Sequence, residues 1–111
     1  NRISPKEANY ATSKLGGSSS VGSYPPTGFG LHDMAGNVEE WVADWYHEDS
    51  YSTLNSEGPA TDPTGPDDGD FRVVRGGSWG GGRDLARCAL RLRFLPFSRD
   101  LDVGFRCVRT K

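Results

Sequence analysis

The sequence contains few of the residue types that most small metal sites and covalent catalysts need. Its 111 residues include two cysteines, two histidines and one methionine. Around His32 and His47 no Ser-His-Asp, Cys-His or zinc-ligand spacing stands out. No apolar run approaches the roughly 20 residues that a membrane-spanning helix needs. These absences argue against a zinc centre, a triad-type hydrolase and a membrane-spanning segment.

Apolar residues are also scarce. Hydrophobic residues make up 34% of the chain, whereas 15 glycines and 7 prolines together reach 22 residues. Such a composition is typical of a chain rich in turns and irregular loops. At this length we expect a single domain, residues 1–111, which buries roughly two-thirds of the surface that its unfolded chain exposes.

Charge is distributed unevenly along the chain. The net charge is +2 over residues 1–32, −10 over residues 33–74 and +6 over residues 75–111, which gives the total of −2. We expect the acidic middle to pack against the arginine-rich end. The alternative, a nucleic-acid interface on the basic end, would normally accompany a basic pI, and the pI here is 5.6. Acidic partners for the basic end remain possible.

A turn around Gly36 and Asn37 carries the densest set of oxygen donors. Gly and Asn tolerate left-handed or tight backbone, and Asp33 and Glu40 flank them. Such a turn can direct the carbonyls of Gly36 and Val38 inward together with both carboxylates, which is the all-oxygen set that calcium takes. On spacing alone the alternative stays open that the carboxylates cap the turn or pair with arginine.

Three segments have the composition of strands in a small antiparallel sheet: Val38–Tyr46, with a bulge, Phe71–Trp79, and Val103–Val108. Alternation of Leu90 and Leu92 with arginines also suits a half-buried strand. Gly76-Gly77 would let another backbone approach closely. We expect a core of large aromatic side chains: Trp41, Trp45, Phe71, Trp79 and Phe105.

Two further segments look irregular. Residues 1–20 contain little apolar material, and their Gly-Ser run reads as a flexible loop. The stretch from Glu48 to Asp70 is mostly Ser, Asp, Gly and Pro, which predicts a long loop with successive turns.

Three motifs in order resemble the formylglycine-generating enzyme (sulfatase-modifying factor) family. They are GFGLHDMAGNVEEWV at 28–42, RVVRGGSW at 72–79 and GFR at 104–106, and the resemblance covers most of the chain from Val21 onward. It implies an α+β, C-type-lectin-like fold. The domain would have a small antiparallel sheet, much irregular loop and none of the family's N-terminal helices, so that it corresponds to the C-terminal portion of the full domain.

The same resemblance implies one structural calcium ion. Its ligands would be Asp33, the carbonyls of Gly36 and Val38, and Glu40. Asn9-Tyr10 resembles part of a second calcium site, but the acidic loop that completes that site in some family members is missing, so we expect no second ion. The sequence departs from the family at His32, where an aromatic residue is usual, and at Glu39, where tryptophan is usual.

The resemblance also argues against catalysis. Family members that use copper carry a cysteine pair after the Gly-Gly-Ser motif, and Gly81 and Ala86 stand at those places. Cys88 and Cys107 match positions that form disulfides with upstream cysteines in some members, while a bridge between the two of them is also possible.

The stretch after Trp79 resembles the variable region of proteins diversified by retroelements, many of which use this scaffold. In those proteins a Gly-Gly-Ser-Trp, an Ala-Arg-x-Ala-x-Arg-x-Arg and a final Gly-Phe-Arg stay fixed while residues between them change by adenine mutation. The corresponding variable positions, which the resemblance makes candidate ligand-binding residues, are Gly80, Gly81, Leu85, Leu90, Leu92, Phe94, Leu95, Phe97, Ser98, Asp100, Leu101 and Asp102.

We therefore predict a non-catalytic module that binds a protein ligand, without nucleic acid and without membrane insertion. The resemblance favours display on a cell or virion surface, with an N-terminal segment or a companion chain completing the domain. The alternative is a partial or non-catalytic formylglycine-generating-type domain with a structural or regulatory role beside a catalytic partner.

Overall fold

The computed structural model describes residues 3–50 and 64–109. Within these residues the regular elements are short, and the only helices are two 3₁₀ turns. The elements are the 3₁₀ turn Ala11–Ser13, strand β1 Glu39–Trp45, strand β2 Arg72–Arg75, the 3₁₀ turn Arg83–Ala86, strand β3 Leu92–Phe94 and strand β4 Val103–Gly104. None of the helices in this described part of the chain has the length and apolar character needed to span a membrane.

The four strands form one sheet in the order β3-β2-β1-β4. β1 pairs with β2 and β2 with β3 in antiparallel orientation, whereas β4 lies parallel to β1 through Glu39↔Val103 and Glu40↔Gly104. The predicted small sheet is confirmed, and each of the four regions contains a strand, although the predicted strands Phe71–Trp79 and Val103–Val108 are shortened to Arg72–Arg75 and Val103–Gly104. The prediction that the sheet is purely antiparallel is wrong, because the chain returns to the open edge of β1 by a crossover from β3 rather than by a hairpin.

β1 carries the irregularity that its sequence predicts. Its pairing with β2 shifts register between Trp41 and Trp45, in the strand whose apolar residues do not follow one period. A bulge of this kind raises the local twist and redirects side chains. Beyond the strand, the Tyr46 amide donates to the Phe71 carbonyl over 2.7 Å, which extends the pairing past the end of β1.

The buried apolar residues differ from the predicted aromatic core. Phe105 is 77% exposed, and the three tryptophans and Phe71 are only half-buried. The apolar side chains that are buried are Ala8, Tyr10, Val73, Val74 and Ala86.

This difference arises from tertiary packing. Val73 and Val74 point to opposite faces of β2, and both are buried in this central strand, which lies between β1 and β3. Ala8 and Tyr10 come from the N-terminal segment, which the sequence marked as poor in apolar residues. Of the predicted loop from Glu48 to Asp70, residues 51–63 lie outside the described residues.

Candidate cation site and binding surface

The turn before β1 is held in left-handed backbone, as predicted. Asp33, Gly36 and Asn37 have φ values of 53°, 76° and 66°. The Asn37 carboxamide clamps Ser19: its Oδ1 accepts the Ser19 amide over 2.8 Å and its Nδ2 donates to the Ser19 carbonyl over 3.2 Å. Asn37 therefore fixes both its own turn and the segment that crosses it.

Gly36 lies at the tightest backbone contact of this turn. Its amide donates to the Gly76 carbonyl over 2.7 Å, and the neighbouring Asn37 amide donates to the Asn9 carbonyl over 2.7 Å. A Cβ atom at Gly36 would lie 2.4 Å from the Asn9 carbonyl oxygen. The turn, the N-terminal segment and the end of β2 thus meet at a point where only glycine fits.

Asp33 and Glu40 make different contacts. Asp33 Oδ2 accepts the Gly22 amide over 2.7 Å. Both Glu40 oxygens accept hydrogen bonds from Arg106, from Nε and from a terminal nitrogen, each over 2.7 Å. The same arginine donates to the carbonyls of His32 and Asp33 over 2.9 and 3.0 Å. The structure therefore shows the alternative interpretation for Glu40, in which its carboxylate pairs with an arginine.

The predicted cation ligands come together only in part. Asp33, Val38 and Glu40 border one cleft of about 370 Å³, whereas Gly36 is not among the residues that border it. In the described part of the chain no group of three or more His, Cys, Asp or Glu side chains is placed to hold a metal, but the predicted set needs only two carboxylates.

The donor chemistry of this set fits an oxygen-preferring cation. A carboxylate has about four lone-pair sites, so the two bonds to Arg106 leave acceptor capacity on Glu40. A cation bound here would share Glu40 with the guanidinium of Arg106.

The absence of a second ion near Asn9 stays a prediction. Asn9 Nδ2 donates to the Gly17 carbonyl over 3.0 Å. Its Oδ1 is buried and has no hydrogen-bond partner among the described residues. Buried polar atoms normally have partners, so this oxygen is an exception.

Glu39, which the sequence marked only as a departure from the family, is a buried carboxylate. It is 6% exposed, and its amide donates to the Asp102 carbonyl over 2.7 Å. Burial, and to a smaller extent the charges of Asp102 and Asp100, raise the pKa of the Glu39 carboxyl above its usual value. A charged carboxylate at this position therefore opposes folding.

We expect Glu39→Gln to stabilise the domain at neutral pH. A raised pKa means that the folded chain binds the proton more tightly, so stability falls as the pH rises from the unfolded pKa, 4.5, through the folded one. The gain in Tm should be a few degrees at pH 7.5, since 1 kcal/mol moves Tm by about 4–8 °C at this size, and it should vanish near pH 4. Glu48→Gln, at an exposed position, is the control. An equal gain in both variants would contradict a role for burial.

The structure divides the twelve candidate ligand-binding residues into two groups. The exposed ones are Gly80, Leu95, Phe97, Asp100 and Leu101. The half-buried ones are Gly81, Leu85, Leu90, Leu92, Phe94, Ser98 and Asp102.

Part of the half-buried group belongs to the fold. Leu92 and Phe94 are the ends of β3, and the Phe94 ring meets the Trp41 ring edge to face at 6.1 Å between centroids. Asp102 Oδ2 accepts the Ser78 hydroxyl over 2.7 Å. Leu85, Leu90, Leu92 and Phe94 are less exposed than Leu95, Phe97 and Leu101. For the two residues in β3 the reason is that β3 pairs with β2.

Arginines beside and between the candidate positions donate to backbone carbonyls of irregular segments. Arg87 Nε donates to the Asp84 carbonyl over 2.9 Å, and Arg91 donates to the His47 carbonyl over 3.2 Å. Arg75 donates to the Cys88 carbonyl. A guanidinium offers five donors in a fixed fork, which suits backbone that has no sheet ladder.

Arginine also stacks on aromatic rings, a feature that the sequence analysis missed. Arg72 lies over the Trp45 ring at 3.6 Å, and Arg93 lies 5.6 Å from the Tyr46 centroid and 5.1 Å from the Phe71 centroid. Alternation of arginine with aromatic residues on paired strands was the available signal. The ion pair of Arg106 with Glu40 joins the basic end to the acidic middle, whereas Arg72 donates to the Ala43 carbonyl.

Both cysteines are free and exposed in the structure. Gly81 and Ala86 offer no thiol, and Cys88 and Cys107 are not bridged to each other.

Comparison with known proteins gives a family match over nearly the whole chain. The model of the sulfatase-modifying factor enzyme 1-like domain matches residues 4–111. A serine/threonine-protein kinase, pkn1 of Chlamydia pneumoniae, is 43% identical over 107 residues, which are 96% of this chain and 16% of the kinase. The formylglycine-generating enzyme of Thermomonospora curvata is 42% identical over 96 residues, 82% of this chain and 31% of the enzyme.

Matches to an inactive relative and to a solved structure complete the comparison. A mouse protein named inactive C-alpha-formylglycine-generating enzyme 2 is 35% identical over 82% of this chain and 26% of its own length, so relatives include both enzymes and an inactive member. Treponema denticola variable protein 1 superposes with a TM-score of 0.75 at 34% identity, over 90% of this chain and 34% of that one. The chain therefore spans about a third or less of these relatives, and the predicted C-type-lectin-like scaffold of the formylglycine-generating type is confirmed.

Proposed function

We propose a function from one established premise: the chain belongs to the family of sulfatase-modifying factor enzyme 1-like domains. On that scaffold, the segment from Gly80 to Asp102 forms a variable binding surface for a protein ligand. The domain is a ligand-binding display module and not a catalyst.

One observation carries this proposal, namely the exposure of apolar side chains in a loop between fixed points. Leu95, Phe97 and Leu101 are 39%, 78% and 87% exposed. Arg91, before this loop, and Arg106, after it, are hydrogen-bonded to backbone carbonyls elsewhere. Exposed apolar clusters usually mark binding surfaces, and a loop anchored at both ends can change its exposed residues at small cost.

The similarity to Treponema denticola variable protein 1 supports the same proposal. The residues that fill the candidate positions are Gly, Leu, Phe, Ser and Asp, all of which adenine mutation of an Asn codon can produce. From Gly80 to Val108 the sequence contains no Lys, Glu, Gln or Met. This composition is what adenine-directed diversification of the segment would leave.

The non-catalytic part of the proposal rests on the missing thiols. A pair of soft thiolate ligands suits Cu(I), and Gly81 and Ala86 occupy the corresponding places. The family includes enzymes and a member named inactive, so absence of catalysis is compatible with membership. We place the ligand among proteins rather than nucleic acids or membranes, with display on a cell or virion surface and an N-terminal segment or companion chain completing the domain.

The genetic surroundings of the coding sequence test this function. The expected result is a near-repeat of the segment encoding Gly80–Arg106, differing mainly at adenines, beside a reverse transcriptase gene. Deep sequencing of a growing population should then find substitutions at the exposed candidate positions and none at Arg91 or Trp79. A locus without a repeat, together with an invariant segment, would overturn the proposal.

Stability measurements distinguish the exposed loop from β3. Phe97→Ser and Leu101→Ser should each change the free energy of unfolding by no more than about 0.5 kcal/mol, as surface substitutions do. Phe94→Ser should cost roughly 2 kcal/mol, because it removes a half-buried ring that contacts Trp41. Chemical denaturation compares the three variants. Equal losses for Phe97→Ser and Phe94→Ser would show that the loop is part of the core.

The calcium ion belongs to the same proposal as a support for the turn before β1. Asp33, the carbonyl oxygens of Gly36 and Val38, and Glu40 supply its ligands. The cleft that three of these residues border and the all-oxygen donor set support it. The ion would fix the turn from which β1 starts and would leave the loop at residues 95–101 free.

Calcium should raise the Tm of the wild-type domain. A ligand that binds only the folded state at 100 times its Kd adds about 2.7 kcal/mol of stability. Asp33→Asn should remove most of this effect, and Asp67→Asn, at an exposed position, should keep it. Magnesium, which demands smaller and stricter geometry, should stabilise less. An unchanged Tm across millimolar calcium would sink the proposal of an ion.

A further inference from the structure

A larger cleft, of about 690 Å³, opens beside β1 and contains none of the twelve candidate ligand-binding residues. Residues Glu40 to Asp44 of β1 form one wall, and the segment Ala86–Cys88 forms another. Its volume falls within the roughly 300–1,000 Å³ that small-molecule pockets occupy. The cleft therefore needs an account separate from the binding loop.

The lining of this cleft is largely apolar. Trp41 and Val42 come from β1, Met34 from the turn before it, and Val108 from the chain after β4. Met34 and Val108 are 45% and 83% exposed. Because apolar surface gains roughly 25 cal/mol for each Å² removed from water, a ligand with an apolar body would be held here.

The cleft also carries positive charge that its acidic groups do not balance. Arg106 is paired with Glu40. Arg75 and Arg87 spend hydrogen bonds on the carbonyls of Cys88 and Asp84, which carry no net charge. Each guanidinium keeps further donors in its planar fork, and that fork matches carboxylate and phosphate oxygens. Besides Glu40, the remaining carboxylate in the lining is Asp44.

We propose that this cleft binds an amphipathic anion, in which a carboxylate or phosphate head meets Arg87 and Arg75 and an aliphatic or aromatic body lies on Trp41 and Val42. The proposal does not depend on the binding loop, since the two sets of residues are separate. It assigns to the fixed part of the scaffold a small-ligand site that would persist while the loop changes.

The two free cysteines provide an internal readout. Cys88 borders the cleft and Cys107 does not, although both are exposed. Octanoate serves as the probe, with acetate as the head alone and 1-octanol as the body alone. Octanoate should slow iodoacetamide labelling of Cys88 at least fivefold and leave Cys107 unchanged, as measured by mass spectrometry of the peptides. Acetate and octanol should give less than twofold protection.

Variants locate the head group. Arg87→Ala should weaken octanoate binding in calorimetry about tenfold, Arg87→Lys should weaken it less, and Arg99→Ala, at an exposed position outside the cleft, should have no effect. Unchanged melting of Arg87→Ala would confirm that it folds. Equal protection of both cysteines, equal protection by octanol, or no effect of Arg87→Ala on affinity would each overturn the proposal.

Discussion

Gly36→Ala should be among the most destabilising single substitutions in the described part of this chain. The new methyl would stand 2.4 Å from the Asn9 carbonyl oxygen, and it would be attached to backbone with φ of +76°. The left-handed conformation costs a residue with a Cβ roughly 1–2 kcal/mol, and the clash adds to this because its partner is backbone. We expect a loss of about 3–4 kcal/mol, which lowers Tm by more than about 10 °C.

Two other glycines separate these causes. Gly30 has nearly the same φ, +75°, but no atom lies within 4 Å of its added Cβ. Gly30→Ala should therefore show the conformational cost alone, about 1–2 kcal/mol. Gly28 has neither constraint, and Gly28→Ala should be neutral or slightly stabilising. Thermal melts measure all three variants, and the difference in stability loss between Gly36→Ala and Gly30→Ala gives the contribution of the Asn9 contact. Equal losses at Gly36 and Gly30 would show that this contact is unimportant.

The sequence predicted the local geometry well because short-range chemistry determines it. Gly36 and Asn37 in the turn take left-handed backbone, β1 shifts register between Trp41 and Trp45, and Gly76-Gly77 lets another segment of the chain approach closely. At Gly77 an added Cβ would lie 2.9 Å from the backbone of Leu85 and Ala86. In each case the residue type itself limits the conformations available.

The core was predicted poorly because burial depends on which segments pack together. Large aromatic residues were favoured for their area, yet Trp41 and Trp79 are half-buried and Phe105 is exposed. The N-terminal segment supplies Tyr10, 1% exposed, although its composition is mostly polar. Alternation along a strand indicates two faces but does not reveal which third element covers each one.

The binding segment shows the same limit. Arg87 and Arg91 donate to backbone carbonyls, which suits a guanidinium among irregular backbone. The apolar residues of the segment were treated as one class, whereas Phe94 belongs to a strand and Phe97 to an exposed loop. The proline at position 96 lies between them, and the extended pairing ends before it. Sequence pattern alone does not give the position at which β3 stops pairing.

Arg106→Ala should have the second large effect, because one side chain joins the turn, β1 and the end of β4. Arg106 makes two bonds to the Glu40 carboxylate and one to each of the His32 and Asp33 carbonyls. The Arg106 and Glu40 side chains are 34% and 20% exposed, so the pair lies between a surface pair, worth about 0–1 kcal/mol, and a buried one, whose disruption costs about 3–5 kcal/mol. We expect a loss of about 2–3 kcal/mol in calcium-free buffer, measured by denaturant unfolding.

The control variants test the planar donor geometry of the Arg106 guanidinium. Arg106→Lys keeps the charge but cannot make parallel bonds to both Glu40 oxygens, so it should recover only part of the loss, and Arg109→Ala, at an exposed position, should be neutral. Removing the guanidinium also leaves Glu40 without its cation, so calcium should stabilise Arg106→Ala more than it stabilises the wild type. If Arg106→Ala is as stable as Arg109→Ala without calcium, the fork contributes nothing. If calcium raises the stability of Arg106→Ala and Arg109→Ala by the same amount, Glu40 is not shared between the arginine and the ion.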